Sequence, residues 1–216
     1  DCDNTLWKGV IGEDGLDGIK PFKNVQRKII NLVNNGVLLC LSSKNNSEDV
    51  DLVFEKKDDM LITNDHVLIK KVSWEDKVSS LRELAAELNL GLDSFVFIDD
   101  SDFEINLMRS QLPEVSCFQV PKNEFEYEKM IDRVTNTFTN LSATKEDMNR
   151  SNLYKMELKS KKDSNSFKNI EEFLYSLDLR LEININDENH IERVAQLTQK
   201  TNQFNLTTKR YNDGII

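Results

Sequence analysis

The chain opens with Asp1-Cys2-Asp3-Asn4-Thr5-Leu6-Trp7, in which two carboxylates stand two residues apart. Residues i and i+2 of an extended strand project to the same side, so we expect Asp1 and Asp3 to face one pocket. Two such carboxylates can hold a hard divalent cation, or one can attack an electrophile while the other handles the proton. The stretch predicts a metal and phosphoryl site; the structural alternative is a polar loop that closes a strand.

Three further clusters of polar residues follow the opening in the order that such a site needs. The apolar run Val37-Leu38-Leu39-Cys40-Leu41 ends in Ser42-Ser43-Lys44-Asn45-Asn46, and Phe95-Val96-Phe97-Ile98 ends in Asp99-Asp100. Between them, Ser73-Trp74-Glu75-Asp76-Lys77 precedes an amphipathic stretch. Ligands of open α/β sheets bind at the carboxyl ends of the strands, so these clusters are predicted to meet in one site.

Helical spacing of apolar residues alternates with short apolar runs through the first half of the chain. The spacing predicts helices at 24–35 and 78–90. The short runs predict strands at 37–41, 95–98 and 115–120. Such alternation is typical of an α/β fold, a doubly wound parallel sheet with helices on both faces.

The opening resembles the DxDxT motif of the haloacid dehalogenase (HAD) superfamily of phosphotransferases, at Asp1, Asp3 and Thr5. Together, DCDNTLWKGVIGEDG, LSSKNN, SWEDK, FIDDS and the late TNQFNLTTKRY are similar to the FkbH-like family, subfamily IIIC of that superfamily. The resemblance implies a HAD-like, Rossmannoid core with a minimal cap and Mg²⁺ as cofactor. Several members act in polyketide pathways. They move a glyceryl unit from 1,3-bisphosphoglycerate to an acyl carrier protein with release of phosphate.

The resemblance also implies a role for each motif residue. Asp1 would be the nucleophile that forms a phosphoaspartyl intermediate, Asp3 the general acid or base, and Lys77 the cation that neutralises the phosphoryl oxygens. The implied phosphate-binding residues are Thr5, Ser43 (preferred), Ser42, Asn45 and Lys77. The implied metal ligands are Asp1, Asp3, Asp99 and Asp100 (preferred). The structural alternatives are an exposed helical Lys77 and an Asp99-Asp100 pair that opens the next helix.

Cys2 separates two interpretations of the site. In the glyceryl-transferring members, a cysteine is thought to carry the acyl group as a thioester, which makes Cys2 a candidate catalytic residue. Strand alternation points Cys2 away from Asp1 and Asp3, toward the core, where cysteine serves as a small hydrophobe. Three functions stay open: glyceryl transfer to the phosphopantetheine arm of an acyl carrier protein, plain phosphomonoester hydrolysis with a structural Cys2, and a non-catalytic binding or scaffold fragment.

Composition restricts the function classes. The net charge of −10 argues against a nucleic-acid partner, which needs clustered Lys and Arg. No apolar stretch approaches the roughly 20 residues of a membrane span, and no secretory signal is visible. Three scattered cysteines predict a reducing cytoplasm. The expected partners are an acyl carrier protein and a small phosphorylated acyl donor; the oligomeric state stays open.

The predicted organisation has three parts. Residues 1–122 are the HAD-like core, and because nothing precedes Asp1 we expect a fragment whose leading strand is missing. Residues 123–170 are predicted to form a helical or linker region. Residues 171–216 resemble the truncated start of an acetyltransferase-like (GNAT) domain, with a helix at 170–177, a strand at 179–185 and a helix at 190–200.

Trp7 and Trp74 flank the site residues in sequence, and either could line a substrate pocket. Core packing is predicted for Trp74. His66 and His190 have no partners at catalytic or metal spacing, so neither is predicted to have a catalytic or metal-binding role. An acid at Glu104 follows Asp100 at a spacing that relatives share, and its role stays open.

Overall fold

The computed structural model describes residues 1–138 and, beyond them, 152–156, 158, 175, 178, 180–183, 188–200, 209–212 and 214. The chain divides into two compact units, Asp1–Lys159 and Ser160–Ile216. The elements of the first unit are β1 (Trp7–Lys8), α1 (Ile11–Gly18), β2 (Lys20–Pro21), α2 (Lys23–Asn34), β3 (Leu39–Ser43), α3 (Ser47–Lys56), β4 (Val67–Val72), α4 (Lys77–Leu88), a 3-10 helix (Leu92–Ser94), β5 (Val96–Asp99), α5 (Asp102–Gln111), β6 (Ser116–Gln119) and α6 (Glu124–Thr137).

Parallel pairing joins β3 to β4 and β5 to β6, whereas β1 and β2 form a short antiparallel pair. In register, Leu41 lies opposite Lys70, and Ile98 lies opposite Phe118. Helix α4 packs on β3, α5 packs on β5 and β6, and α2 packs on α6. Parallel strands alternating with helices confirm the predicted α/β class. The predicted helices are α2 and α4, and the predicted strands are β3, β5 and β6.

One continuous sheet was expected, and the structure differs. Among the described residues, the two parallel pairs are separate two-stranded sheets, because no described strand lies between β3 and β5 to pair with both. A mostly apolar cavity of about 370 Å³ is lined by residues 39–42 and 96–98 and by Asp1. The nitrogen of Asp1 donates a hydrogen bond to the carbonyl oxygen of Ile98 at 2.9 Å, which sets Asp1 beside β5. That a strand leads into Asp1 stays a prediction.

Two buried polar side chains fasten the opening loop to the helices. Gln26 of α2 is fully buried; its Nε2 donates to the carbonyl oxygen of Leu6 at 2.8 Å, and its Oε1 accepts from the backbone nitrogens of Leu61 and Ile62. The hydroxyl of Tyr127 on α6 donates to the carbonyl oxygen of Thr5 at 2.7 Å. Because buried backbone groups need partners, these bonds fix the path of the chain beside Asp1 and Asp3.

The region assigned from sequence to a linker contributes to the core. Helix α6 buries Tyr127, Met130, Ile131 and Val134 in the same apolar cluster as Cys2 and Trp7. The hydroxyl-to-backbone bond of Tyr127 described above also ties this helix to the site.

The second unit is described in part. Its helix Ile191–Lys200 corresponds to the helix predicted at 190–200. Residues 180–183, inside the strand predicted at 179–185, are not in a strand, and the rest of that segment lies outside the described residues. Most of the helix predicted at 170–177 also lies outside them. The acetyltransferase-like start is therefore unsupported. In the part of the chain that the structure describes, no helix is long and apolar enough to cross a membrane.

Candidate active site and metal centre

Three charged or polar residues from different elements, Ser43, Lys77 and Asp99, meet around Asp1. Its Oδ1 accepts a hydrogen bond from Ser43 Oγ at the end of β3, at 2.7 Å. The same oxygen lies 3.0 Å from Lys77 Nζ, and that ammonium lies 2.6 Å from Asp99 Oδ2 at the end of β5. The Lys77 side chain is 5% exposed and that of Asp99 is fully buried. The ends of two parallel strands and the start of α4 thus build one cluster.

Lys77 gives the cluster its positive charge. It is the first residue of α4, where the unpaired backbone N–H groups and the helix dipole also favour anions. A buried ammonium is stable only when it is paired, and here Asp1 and Asp99 pair with it. The structural alternative, an exposed helical lysine, therefore does not hold. An ammonium at a helix N-terminus is suited to bind phosphoryl oxygens.

Asp3 is oriented by three donors. Its Oδ1 accepts from Trp7 Nε1 at 2.8 Å and from the backbone nitrogen of Ile11 at 3.1 Å. Its Oδ2 accepts from Asn45 Nδ2 at 2.9 Å. Since Trp7 is fully buried, its indole holds the carboxylate from a side that water does not reach. Asp3 is therefore fixed in one orientation, as a group that transfers a proton must be.

Three carboxylates could hold a metal ion. Oxygens of Asp1, Asp99 and Asp100 lie within 4.8 Å of one another, and Asp3 is not a member of this group. Both oxygens of Asp99 already accept hydrogen bonds, from Lys77 Nζ and from the backbone nitrogen of Ser101. That arrangement favours Asp100 as a direct ligand.

Asp100 also shows why a cation fits this group. Burial, and then the charge of Asp99, raise the pKa of its half-buried carboxyl above the ordinary value. A divalent cation bound by oxygen ligands would offset both effects. The donor set of three carboxylates fits magnesium, which prefers few protein carboxylates together with water.

Of the two adjacent serines, only Ser43 is seen to contact Asp1. The hydroxyls of Ser42 and Thr5 are buried and have no hydrogen-bond partner in the structure. Strand alternation explains the difference, because neighbours in β3 point to opposite faces. Asn45 Nδ2 also donates to Ser43 Oγ at 3.2 Å, which links the residues around Asp1 to those around Asp3.

Cys2 points into the core. Its side chain is fully buried, and burial is the main cause that raises the pKa of its thiol. A thiol with a raised pKa is protonated at neutral pH, and the thiolate is the nucleophile. This placement favours the structural interpretation of Cys2 over the thioester interpretation.

The tryptophan prediction is wrong for Trp74. Its indole is 70% exposed, whereas Trp7 is fully buried. Trp7 Nε1 donates to Asp3, four residues earlier, from a buried indole, whereas Trp74 Nε1 donates to Asn46 Oδ1 at the surface, at 3.1 Å. The apolar spacing around Trp74 does not indicate its bond to Asn46, a residue 28 positions away.

Sequence reasoning missed two further contacts at the site. Asn4 adopts the left-handed conformation with φ 49°, and its Oδ1 accepts from Gly9 N at 3.0 Å. Lys44 Nζ lies 2.6 Å from Oε1 of Glu104, whose side chain is nearly buried. The sequence did carry a signal for the first contact: Asn4 directly follows Asp3, and Asn tolerates the left-handed conformation better than most residues. The second contact has no local signal.

No protein-family model matches the chain, and no curated protein matches it. Among solved structures, it is similar to the N-terminal part of the protein BF1531 from Bacteroides fragilis, which contains a phosphatase domain and was crystallised in complex with Mg. The TM-score is 0.59 at 33% sequence identity. The match covers 61% of this chain and 38% of that one. This chain therefore shares its α/β fold with a part that contains a phosphatase domain, and the FkbH-like assignment stays a prediction.

Proposed function

We propose that this chain carries the active site of a magnesium-dependent phosphatase that works through Asp1. The observation that carries the proposal is the buried Lys77 bridging Asp1 and Asp99, with Asp100 beside them. The similarity to a structure that contains a phosphatase domain and Mg supports the same activity. A magnesium ion held by Asp1, Asp99 and Asp100 would supply positive charge to the phosphoryl oxygens.

Asp1 and Asp3 have different roles in the proposed reaction. An oxygen of Asp1 attacks phosphorus, the bond between phosphorus and the leaving oxygen breaks, and Asp3 gives that oxygen its proton. Asp3 then takes a proton from water, whose oxygen attacks the phosphoaspartyl group and releases phosphate and free Asp1. Ser43 and Lys77, which contact Asp1 Oδ1, are placed to bind the phosphoryl oxygens.

The test is hydrolysis of phosphate monoesters by the full chain, with Mg²⁺ and with a chelator. We expect Asp1→Asn to lower kcat at least about a thousandfold, because the covalent route is lost. The matched control is Asp58→Asn, which neutralises an exposed aspartate. Chelation should abolish turnover and added Mg²⁺ should restore it. Full turnover by Asp1→Asn, or indifference to the chelator, would refute the proposal.

We propose glyceryl transfer as the second candidate, with a small phosphorylated acyl donor such as 1,3-bisphosphoglycerate and an acyl carrier protein as partner. Its support is the motif resemblance together with the position of Cys2 between Asp1 and Asp3 in the chain. The Cys2 sulfur would attack the acyl carbonyl, the bond to the phosphate oxygen would break, and phosphate would leave with the thiol proton. Water would then hydrolyse the phosphate ester that remains at the third carbon, through Asp1, and leave a glyceryl thioester on Cys2. Burial of Cys2 means that this route needs the core to open.

Intact-mass measurement separates the two candidates. Incubation with 1,3-bisphosphoglycerate should add a glyceryl unit to the natural chain and none to Cys2→Ala. An adduct that persists in Cys2→Ala would rule out a thioester on this residue. If Cys2→Ala hydrolyses simple phosphate esters at the natural rate while Asp1→Asn does not, plain hydrolysis is the function.

A further inference from the structure

Lys44 and Glu104 form an ion pair that joins the ends of the two parallel strand pairs. Lys44 Nζ lies 2.6 Å from Glu104 Oε1. Lys44 directly follows Ser43, the last residue of β3, and Glu104 lies in the first turn of α5, the helix that follows β5. Among the described residues, no strand pairing joins β3 and β4 to β5 and β6. Side-chain contacts such as this one therefore help to set the distance between the two halves of the site.

The side chain of Glu104 is used for this pair instead of for its own helix. Ser101 and Glu104 have the spacing of a capping box, in which the Glu side chain accepts from the backbone nitrogen of the N-cap residue. Here Ser101 Oγ accepts from Glu104 N at 3.4 Å, but Ser101 N donates to Asp99 Oδ1 at 3.0 Å. Glu104 Oε1 accepts from Lys44 instead. A contact between distant segments thus overrides the local pattern, as is expected at functional sites.

The buried charge of Glu104 depends on Lys44. The Glu104 side chain is 7% exposed, and its Oε2 is buried without a hydrogen-bond partner among the described residues. A buried carboxylate is stable only when it is paired, and in the part of the chain that the structure describes Lys44 supplies the ammonium that pairs with it. The pair therefore holds Lys44, and with it the neighbouring Ser43, in one place.

The ion pair completes a closed ring of contacts, in which each member meets the next through a hydrogen bond, an ion pair or the chain itself. In order, the members of the ring are Asp1, Ser43, Lys44, Glu104, Ser101, Asp99 and Lys77, which contacts Asp1 again. Two of the three carboxylates that could hold a metal ion belong to this ring. Opening the ring at Lys44 would release Ser43 from the start of α5, and the carboxylates would lose their fixed separation.

We propose that Lys44 and Glu104 are positioning residues for the metal site. Their ion pair fixes the separation of Asp1 from Asp99 and Asp100, and it thereby sets the affinity of these carboxylates for a divalent cation. This inference rests on the proposed function and adds positioning residues to it. Neither Lys44 nor Glu104 belongs to the group of carboxylates that could hold the ion. Residues that orient metal ligands typically change metal affinity about 10- to 100-fold.

The experiment measures the affinity of the full chain for Mg²⁺ alone, by isothermal titration calorimetry without a phosphate compound. Lys44→Met should weaken binding about tenfold. The direction is informative, because removing a positive charge near carboxylates would by electrostatics alone strengthen the binding of a cation. The matched control is Lys28→Met, which breaks an ion pair to Asp132 of the same 2.6 Å length, from a lysine side chain that is 31% exposed where that of Lys44 is 33% exposed. It should bind Mg²⁺ like the natural chain.

Two further variants separate positioning from a loss of folding. Lys44→Arg keeps the charge and should bind Mg²⁺ nearly as tightly as the natural chain. Lys44→Gln keeps a hydrogen-bond donor without the charge, so its affinity should lie between those of Lys44→Arg and Lys44→Met; it carries the test if Lys44→Met does not fold. Urea unfolding, followed by tryptophan fluorescence, shows which variants are folded before the titration.

Mg²⁺ binding by folded Lys44→Met or Lys44→Gln that is as tight as in the natural chain, or tighter, would overturn the inference. Absence of Mg²⁺ binding by the natural chain would overturn it too. If the natural chain binds Mg²⁺ but hydrolyses no phosphate monoester, the proposed function fails, and the measured affinities still decide whether the ion pair positions the metal site.

Discussion

Replacing Lys77 by Met should destabilise the first unit strongly. The ammonium lies 2.6 Å from Asp99 and 3.0 Å from Asp1, and the Asp99 side chain is fully buried. At the effective dielectric of about 20 that describes buried pairs, attraction over 2.6 Å amounts to about 6 kcal/mol, much of which offsets desolvation. Removing one partner of a buried pair costs about 3–5 kcal/mol, because the other charge stays buried without compensation.

We therefore expect Lys77→Met to lower the free energy of unfolding by about 4 kcal/mol. The assay is urea unfolding followed by the fluorescence of the buried Trp7, without added metal. The matched control is Lys8→Met, which breaks an ion pair of the same 2.6 Å length to Glu124 at the surface. Exposed pairs contribute about 1 kcal/mol or less, so this variant should unfold almost like the natural chain.

A double variant tests the cause. Lys77→Met combined with Asp99→Asn should recover part of the lost stability, because a neutral amide at position 99 removes the uncompensated charge. If Lys77→Met costs no more than Lys8→Met, or if the double variant is less stable than the single one, the argument from buried charge is refuted.

Two further predictions concern other groups. Trp7→Phe removes the indole donor to Asp3 while keeping a ring in the core; under the proposed function kcat should fall about tenfold with little change in KM, since a bond to a charged group is worth about 1.5–3 kcal/mol. An unchanged kcat, or a loss that appears in KM instead, would contradict the positioning role. Burial raises the pKa of the Cys40 thiol to about 11, from 9.0. The unfolded chain then ionises first, so the contribution of Cys40 to stability should be constant below pH 9 and fall by about 2.5 kcal/mol up to pH 11. Urea unfolding across the pH range should therefore show a smaller fall in Cys40→Ala than in the natural chain, by about that amount; a fall of the same size in the variant would contradict the prediction.

Local periodicity was enough to predict five elements of the first unit, α2, α4, β3, β5 and β6. Apolar residues recur about every 3.6 residues in a helix and every 2 in a strand, and this spacing can be read from the sequence alone. The predicted bounds of β3, β5 and α4 are therefore close to the observed ones. The same repeats predict that the motif residues lie close together, because each cluster follows the carboxyl end of a predicted parallel strand. Their chemical roles stay predictions.

Contacts between distant residues could not be predicted in this way. Lys44 meets Glu104 across 60 positions of sequence, and no local pattern in either segment indicates the other. The continuous sheet was likewise inferred from alternation alone, and alternation does not say which strands share hydrogen bonds. The observed strands form separate pairs.

The sequence by itself determined helices α2 and α4, strands β3, β5 and β6, and which chemical groups stand at the ends of β3 and β5, since these depend on neighbours a few residues apart. Tertiary structure alone decided that Lys77 is buried between two carboxylates, that Trp7 is inside while Trp74 is outside, and that the Cys2 thiol is kept protonated. The reason is physical. Burial and the energy of a charge depend on everything packed around a group, and that packing exists only once the chain has folded.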